Sequence, residues 1–540
     1  MEHSFLGNVA RSLYSQYGDR ISSLNIVLPN RRSRLFLEHE LAEVIDKPLW
    51  QPTYLSVDEL MSQFADIRPA DRIRSVVELY KVWQEYHDEP FDRFYFWGEM
   101  LLGDFDQIDK YMIDAGRLFR NINEIKEIGD EFEYLAEEQR AAVARFWAAF
   151  STDKGVSAEK ERFRTIWNSL WPVYCKFRER LAAQGVGYAG MIHRTAAESI
   201  TSGSIGREDG GAYVVIGFNA LSACEKVLFD HLKSVYNADF FWDYDDYYMD
   251  DPMQEAGLFA KDNIRRYPHP QYFRNKTDNF SARKNISAAS LPSDSLQCKY
   301  AATFLGEVWE RQGYVAQETA IVLTNEDLLV PLLYSLPDYV KDVNVTMGYP
   351  LRHSLAYSFT ERLLKLQNHA RKKNGEVSFY HGDVTGLLEH PFILSADREF
   401  AERLRTDIIM KSRIYVRGNE FAGSPFLQTI FSFQEKPVEL IGYIIGILSS
   451  IAASGINHGA NKYEAMMQRE FFGEIAETLR KLANSLEGCG VEMTSATVSS
   501  LARRMLQNVR IPYSGEPLRG LQVMGILETR NLDCDNVPIL

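Results

Sequence analysis

The stretch FLGNVARSLYSQYG places apolar residues at helical spacing, LNIVLPN (24–30) is a short apolar run stopped by Pro29, and RRSRLFLEHELAEVI returns to the helical period. Helix, strand and helix in that order predict the opening of a parallel α/β layer. From about residue 58 to 200 the pattern is almost entirely helical, rich in Phe, Tyr and Trp, with no convincing strand. AYVVIGF (212–218) then reads as a buried strand, SACEKVLFDHLKSV as a helix with Ser222 at its N-cap, and ADFFWDY as a second strand.

Residues 251–285 are polar and aperiodic and predict a connector. A second α/β layer follows: ISAASLPSD as a strand, LQCKYAATFLGEVWERQG as a helix, TAIVLT (319–324) as a strand, NEDLLVPLLYSLP as a helix, and VNVTMGYPL leading back into the sheet. Helices dominate from about 355 to 510, GLQVMGIL resumes strand character, and NVPIL (536–540) is an apolar run expected to be a buried strand. A buried strand at this position needs partners, so the chain is expected to be cut from a longer protein. The expected fold is α/β, with two parallel-sheet domains each interrupted by a large helical insertion. The boundaries are 1–60 plus 205–255 for the first sheet and 61–204 for its insertion, then 285–354 plus 515–540 for the second and 355–514 for its insertion.

A length of 540 residues and 45% hydrophobic content support several cores. The formal charge of −14 argues against a bulk basic surface but leaves a local basic groove open. Cys175, Cys224, Cys298, Cys489 and Cys534 lie far apart, which fits free thiols in a reducing compartment, by default the cytoplasm. No run of about 18 apolar residues occurs, so a membrane span is not expected, nor does the amphipathic N-terminus resemble a signal peptide.

Two α/β layers raise the question of a nucleotide. A phosphate-cradling loop needs G-x-x-x-x-G-K-[ST], yet the sequence contains no Gly-Lys dipeptide, and the strand AYVVIGFNA ends without the carboxylate that would hold Mg²⁺. No HExxH or His/Cys cluster suggests zinc, and no G-x-S-x-G suggests a serine hydrolase. No cofactor is expected. Asp104, Asp106 and Asp109 could form a metal constellation but are expected to be a solvated helix face, and WDYDDYYMDDP (242–252) a loop closing a sheet edge. The aromatic run EPFDRFYFWGEML (89–101) is core if buried and an interface if exposed; core is the expectation. Arg31, Arg32 and Arg34 follow the first strand, and Arg503, Arg504, Arg510 and Arg519 precede the last. A surface charge face explains either cluster alone; together they point to a polyanion.

The order of elements resembles superfamily 1 helicases of the UvrD/RecB kind, with two RecA-like layers that each carry a helical insertion. Within that class it is similar to the AddB subunit of the AddAB helicase–nuclease, in the version seen in Bacteroidetes-like bacteria. Four stretches carry the resemblance: IVLPNRRSRLFLEHEL, VVIGFNALSACEKVLF, AIVLTNEDLLVPLLYSLP with VTMGYPLRHS, and ILETRNLDCD (526–535). The last resembles a family motif of the form L-L-E-A-R-G-L-D-F-D, with Asn531 and Cys534 in place of Gly and Phe.

The resemblance implies an inactivated helicase module with its second RecA-like domain truncated, followed in the family by a C-terminal PD-(D/E)XK nuclease. It implies no catalysis in this portion, single-stranded DNA as ligand, and an AddA-like helicase–nuclease subunit as partner in double-strand-break repair. Arg31, Arg32, Arg34 and Arg530 are the candidate DNA contacts; Pro29, Gly217, Glu528 and Asp533 are the candidate structural positions of the helicase-like motifs. Arg530 has a plainer reading as an internal ion pair with Glu528 and Asp533. Two other functions stay open: an assembly scaffold with little DNA contact, and an active motor with an unorthodox nucleotide site.

Overall fold

The structure is a computed structural model that describes residues 4–120, 158–204, 211–251, 253–275, 277–313, 319–453, 462–512 and 520–540. The strands named below are, in chain order, β1 (Leu24–Val27), β2 (Thr53–Leu55), β3 (Ala212–Ile216), β4 (Asp239–Phe241) and β5 (Ala320–Leu323). They continue with β6 (Val343–Val345), β7 (Arg371–Lys373), β8 (Glu376–Tyr380), β9 (Tyr415–Arg417) and β10 (Leu521–Gly525). The helices are α1 (Phe5–Tyr17), α2 (Arg31–Val44), α3 (Phe91–Lys110), α4 (Ala158–Ala183), α5 (Ala189–Ser202) and α6 (Ala223–Tyr236). The chain forms two compact units, one from Met1–Glu89, Phe94–Asn344 and Glu516–Leu540, the other from Pro90–Arg93 and Val345–Gly515.

The first unit is mixed α/β. Its larger sheet has the order β2-β1-β3-β4 with every neighbouring pair parallel. Successive side chains of a strand point to opposite faces, and both faces of this sheet are covered, so apolar residues of its strands are buried on either side. Ile26, Val214 and Ile216 pack with Leu6, Val9 and Leu13 of α1 and Leu37 of α2. Val27, Tyr213 and Val215 pack on the other side with Leu228 and Phe229 of α6. Helix α6 starts as expected at Ser222, whose hydroxyl accepts the Glu225 N–H while the Glu225 carboxylate accepts the Ser222 N–H.

The smaller sheet has the order β5-β10-β6, with β5 and β10 parallel and in register from Gln522 beside Ala320 to Gly525 beside Leu323. Residues 536–540 run along the other edge of β5: the N–H groups of Ala320, Val322 and Thr324 donate to the carbonyls of Asn536, Pro538 and Leu540 at 2.9, 2.9 and 2.7 Å. NVPIL therefore pairs as a strand would, but it is not buried. Val537 and Ile539 are 45% and 67% exposed, because only alternate residues turn inward on an edge.

The second unit combines the antiparallel sheet β7-β8-β9 with helices. Leu355–His369, Lys462–Leu486 and Ser495–Gln507 pack on one another, and Pro437–Ala453 on the latter two. This sheet departs from the purely helical pattern expected over 355–510. The expected strand ISAASLPSD forms no ladder, since nearly all of its side chains are exposed and it has no partner strand among the described residues. Among its described residues the segment 58–200 contains one short parallel pair, Arg68–Pro69 beside Val186–Gly187. Among the described residues no helix is long and apolar enough to cross a membrane.

Candidate functional site

In an open parallel sheet, ligands bind outside the carboxyl ends of the strands where the strand order reverses. Here the chain passes from β1 to β2 on one side and to β3 on the other, so that point lies between the ends of β1 and β3. On one wall Leu28 and Pro29 lead to Asn30, whose side chain caps α2 by accepting the Ser33 N–H at 2.7 Å. On the other wall Gly217 turns the chain with φ of 71°.

The crevice between them is filled by residues 530–533. Asn531, 5% exposed, donates from Nδ2 to Ser33 Oγ at 3.3 Å, and Ser33 Oγ donates to the Arg530 carbonyl at 3.3 Å. A Cβ at Gly217 would lie 2.1 Å from Asn531 Nδ2, so only glycine allows this approach. Asn531 itself has φ of 64°, left-handed backbone that asparagine tolerates better than any other non-glycine residue except Asp and His. Two residues on, the Asp533 carboxylate accepts the Phe5 N–H at 2.9 Å, at the first turn of α1.

The four candidate arginines have different surroundings. Arg32 donates to Gln522 Oε1, which also accepts from Asn344 Nδ2 at 2.7 Å, so it links α2 to β10 and the middle of β6. Burial lowers its guanidinium to about 10, with Cys534 and Glu528 opposing. Arg34 pairs with Glu38 at 2.8 Å and lies 4.8 Å from the Tyr54 ring centroid. Arg31 and Arg530 are exposed. Neither Glu528 nor Asp533 lies within ion-pair distance of Arg530 among the described residues, so the plainer reading of Arg530 does not hold. Glu528 is half-buried beside Gly525, and Pro29 is half-buried in the β1–α2 turn.

A cavity of about 690 Å³ opens next to the crevice, lined among others by Asp243, Tyr248, Phe280, Arg530 and Asp533. Asp243 is open to solvent but walled by protein. That loss of hydration, with Asp533 second, pushes its carboxyl up to about 7. Asp245 accepts the N–H groups of Tyr247 at 3.0 Å and Phe280 at 2.8 Å and caps the short helix Asp246–Asp250. Within 242–251, Asp246–Asp250 is thus a capped helical turn rather than plain loop, and Pro252 lies outside the described residues.

The expected solvated face on α3 is also corrected. Asp109 is fully buried, receives the hydroxyls of Tyr174 and Tyr188, and faces Arg194 at 3.3 Å and Arg178 at 3.6 Å. Asp106 accepts the Gly190 N–H at 2.6 Å and pairs with Lys110 at 2.8 Å; only Asp104 is exposed. Among the described residues no group of three or more His, Cys, Asp or Glu is poised for a metal. Of the aromatic run, Phe91, Phe94 and Tyr95 are core, while Phe96 and Met100 are 54% and 61% exposed. In the second unit Arg503 lies 3.7 Å from Glu361 and Arg510 donates to the Met347 carbonyl at 3.5 Å. Arg504 is also partnered, and Arg519 lies outside the described residues.

A phosphate at the start of α2 would need its first-turn N–H groups. That of Ser33 is bonded to Asn30, and the space in front holds Asn531. The crevice joins two parts of the chain and offers no open cradle. The chain matches no protein-family model and no curated protein.

Proposed function

We propose that the chain is the helicase-like, ATPase-inactive portion of an AddB-type subunit of a double-strand-break repair helicase–nuclease. On this reading the β1–β4 and β5–β10 sheets correspond to the two RecA-like layers, and the protein guides single-stranded DNA beside an active AddA-like partner. The observation that carries the reading is the filled crevice: where a motor would close on a nucleotide, Asn531 closes on Ser33 and Gly217. Position 531, glycine in the motif it resembles, has left-handed backbone in this chain, a conformation open to both glycine and asparagine. The departure from the motif is therefore conservative in conformation. It puts an amide into the space a phosphate would need.

Calorimetric titration with Mg²⁺-ATP is expected to give no binding heat. Fluorescence anisotropy is expected to show tighter binding of single-stranded than duplex DNA, weakening with salt and indifferent to ATP. Measurable ATP binding with turnover would overturn the inactive-motor reading in favour of an unorthodox motor, and absence of DNA binding at low salt would overturn the guide. The scaffold reading has one observation in its favour, the exposed Phe96 and Met100 one turn apart on α3. Co-purification of a partner with a chain that ignores DNA would support it.

A further inference from the structure

The β7-β8-β9 sheet has one face in the core and one in solvent. Phe379 and Val416, paired across β8 and β9, are fully buried. Strand alternation therefore puts Tyr380, Ser378 and Glu376 of β8, Tyr415 and Arg417 of β9, and Arg371 and Lys373 of β7 on the opposite face. The register arranges them in rows: Tyr380 beside Tyr415, then Arg371, Ser378 and Arg417 abreast, then Lys373 beside Glu376. Rows on one face of a strand lie about 7 Å apart.

The middle row has a small residue at its centre. Across Ser378, Arg371 reaches the far strand and lays its guanidinium 4.4 Å from the Tyr415 ring centroid. A cation is thereby placed over an aromatic ring, within cation–π range. Tyr380 stands 6.3 Å from Tyr415 and is 40% exposed. Three cations share the face with one carboxylate, Glu376. Among the described residues its only ion-pair contact is with Arg417 at 3.9 Å, between side chains 67% and 66% exposed, which is too open to neutralise either.

We propose that this face is a docking surface for single-stranded nucleic acid, with phosphates on Arg371, Lys373 and Arg417 and a base stacked at Tyr380 and the Arg371–Tyr415 plate. Phosphate-binding cations interleaved with flat rings are what an unpaired strand requires, because its bases are free to stack. Edge strands are also charged to discourage pairing with other chains. That accounts for Lys372, which turns to the other face and pairs with Glu435 at 2.9 Å, and for Arg417 on the other edge strand, but not for a guanidinium laid across the sheet onto the Tyr415 ring. An acidic protein segment would satisfy the three cations and leave the rings unused. The inference rests on the DNA-holding reading above and gives that DNA a site on the second unit.

The test uses the whole chain and a fluorescein-labelled oligothymidylate at two salt concentrations. The triple variant R371Q/K373Q/R417Q changes only solvent-facing side chains. It is expected to weaken binding by about tenfold or more at low salt and to make the log–log salt slope shallower by about 2, at roughly 0.7 per released phosphate contact. Tyr380→Leu is expected to weaken a normal strand more than an abasic strand of equal length. If the unaltered chain binds the strand and the triple variant binds it equally well, this site is wrong and the DNA-holding reading stands. A chain that binds no strand at low salt removes both. Polyglutamate competing as well as the oligonucleotide would overturn nucleic acid in favour of an acidic protein partner.

Discussion

Asn531 packs so close to Gly217 that a Cβ there would lie 2.1 Å from its Nδ2, and both residues have positive φ. Gly217→Ala is expected to drive a methyl group into the Asn531 amide and to strain the backbone, lowering stability by about 1–3 kcal/mol. Asn531→Val is expected to cost a similar amount, and Asn531→Gly less, since glycine keeps the backbone and loses only the bond to Ser33. Urea unfolding of the three variants checks the order; an Asn531→Val protein as stable as the parent would show that the crevice is not held this way. From sequence, the asparagine is visible only as a departure from a motif. Its conformational likeness to glycine needs the backbone angle. The arginines are likewise visible as cations, but nothing local to Arg32 announces a bond to Gln522, 490 positions away.

Among elements, strands flanked on both sides by partners were legible. The runs holding β1, β3, β5 and β10 are mostly apolar because both of their faces are largely buried, with Asn25 of β1 and Gln522 of β10 as the polar interruptions. Strand β7 was not, because Arg371-Lys372-Lys373 has no apolar face to detect. A signal was nonetheless present: Asn374 and Gly375, with φ of 51° and 83°, form the two-residue turn that Asn-Gly favours in hairpins, and EVSFY alternates behind it. Helix α3 presents the reverse problem. Acids spaced along a helix suggest water, whereas Asp109 turns inward and ties α3 to α4 and α5 through Tyr174, Arg178, Tyr188 and Arg194. Asp109→Asn leaves two arginines without their shared carboxylate and is expected to cost about 3–5 kcal/mol. Thermal denaturation would measure it, and a loss below about 1 kcal/mol would mean that water replaces the carboxylate.

At the scale of the first unit, the two parallel sheets are joined by contacts no local pattern encodes: Phe5 with Asp533, Ser33 with Asn531 and Arg32 with Gln522. The joint carries a pH dependence. Asp243 follows β4 and Asp533 follows β10; both carboxyls are raised, Asp243 by lost hydration and then Asp533, and Asp533 by lost hydration and Glu40 against the Phe5 N–H. Lys284 and Arg530 line the same cavity, with Asp245. A carboxyl near 7 in the fold and near 3.9 when unfolded binds more protons folded, so its contribution is present in full below about pH 4 and is lost as pH rises toward 7. Asp243→Asn is therefore expected to match the parent at pH 4 and to melt higher at pH 8. Melting curves at both values check this; a variant that melts lower at pH 8 would mean that ionised Asp243 is a stabilising partner.

The filling of the crevice by residues 530–533 also bears on competition. A side chain fastened to the same chain is never diluted, and its effective concentration is on the order of millimolar for a short tether. Any free nucleotide would have to displace a rival that travels with the protein and cannot be washed away. The joint between the two sheets is held by side chains of the chain itself.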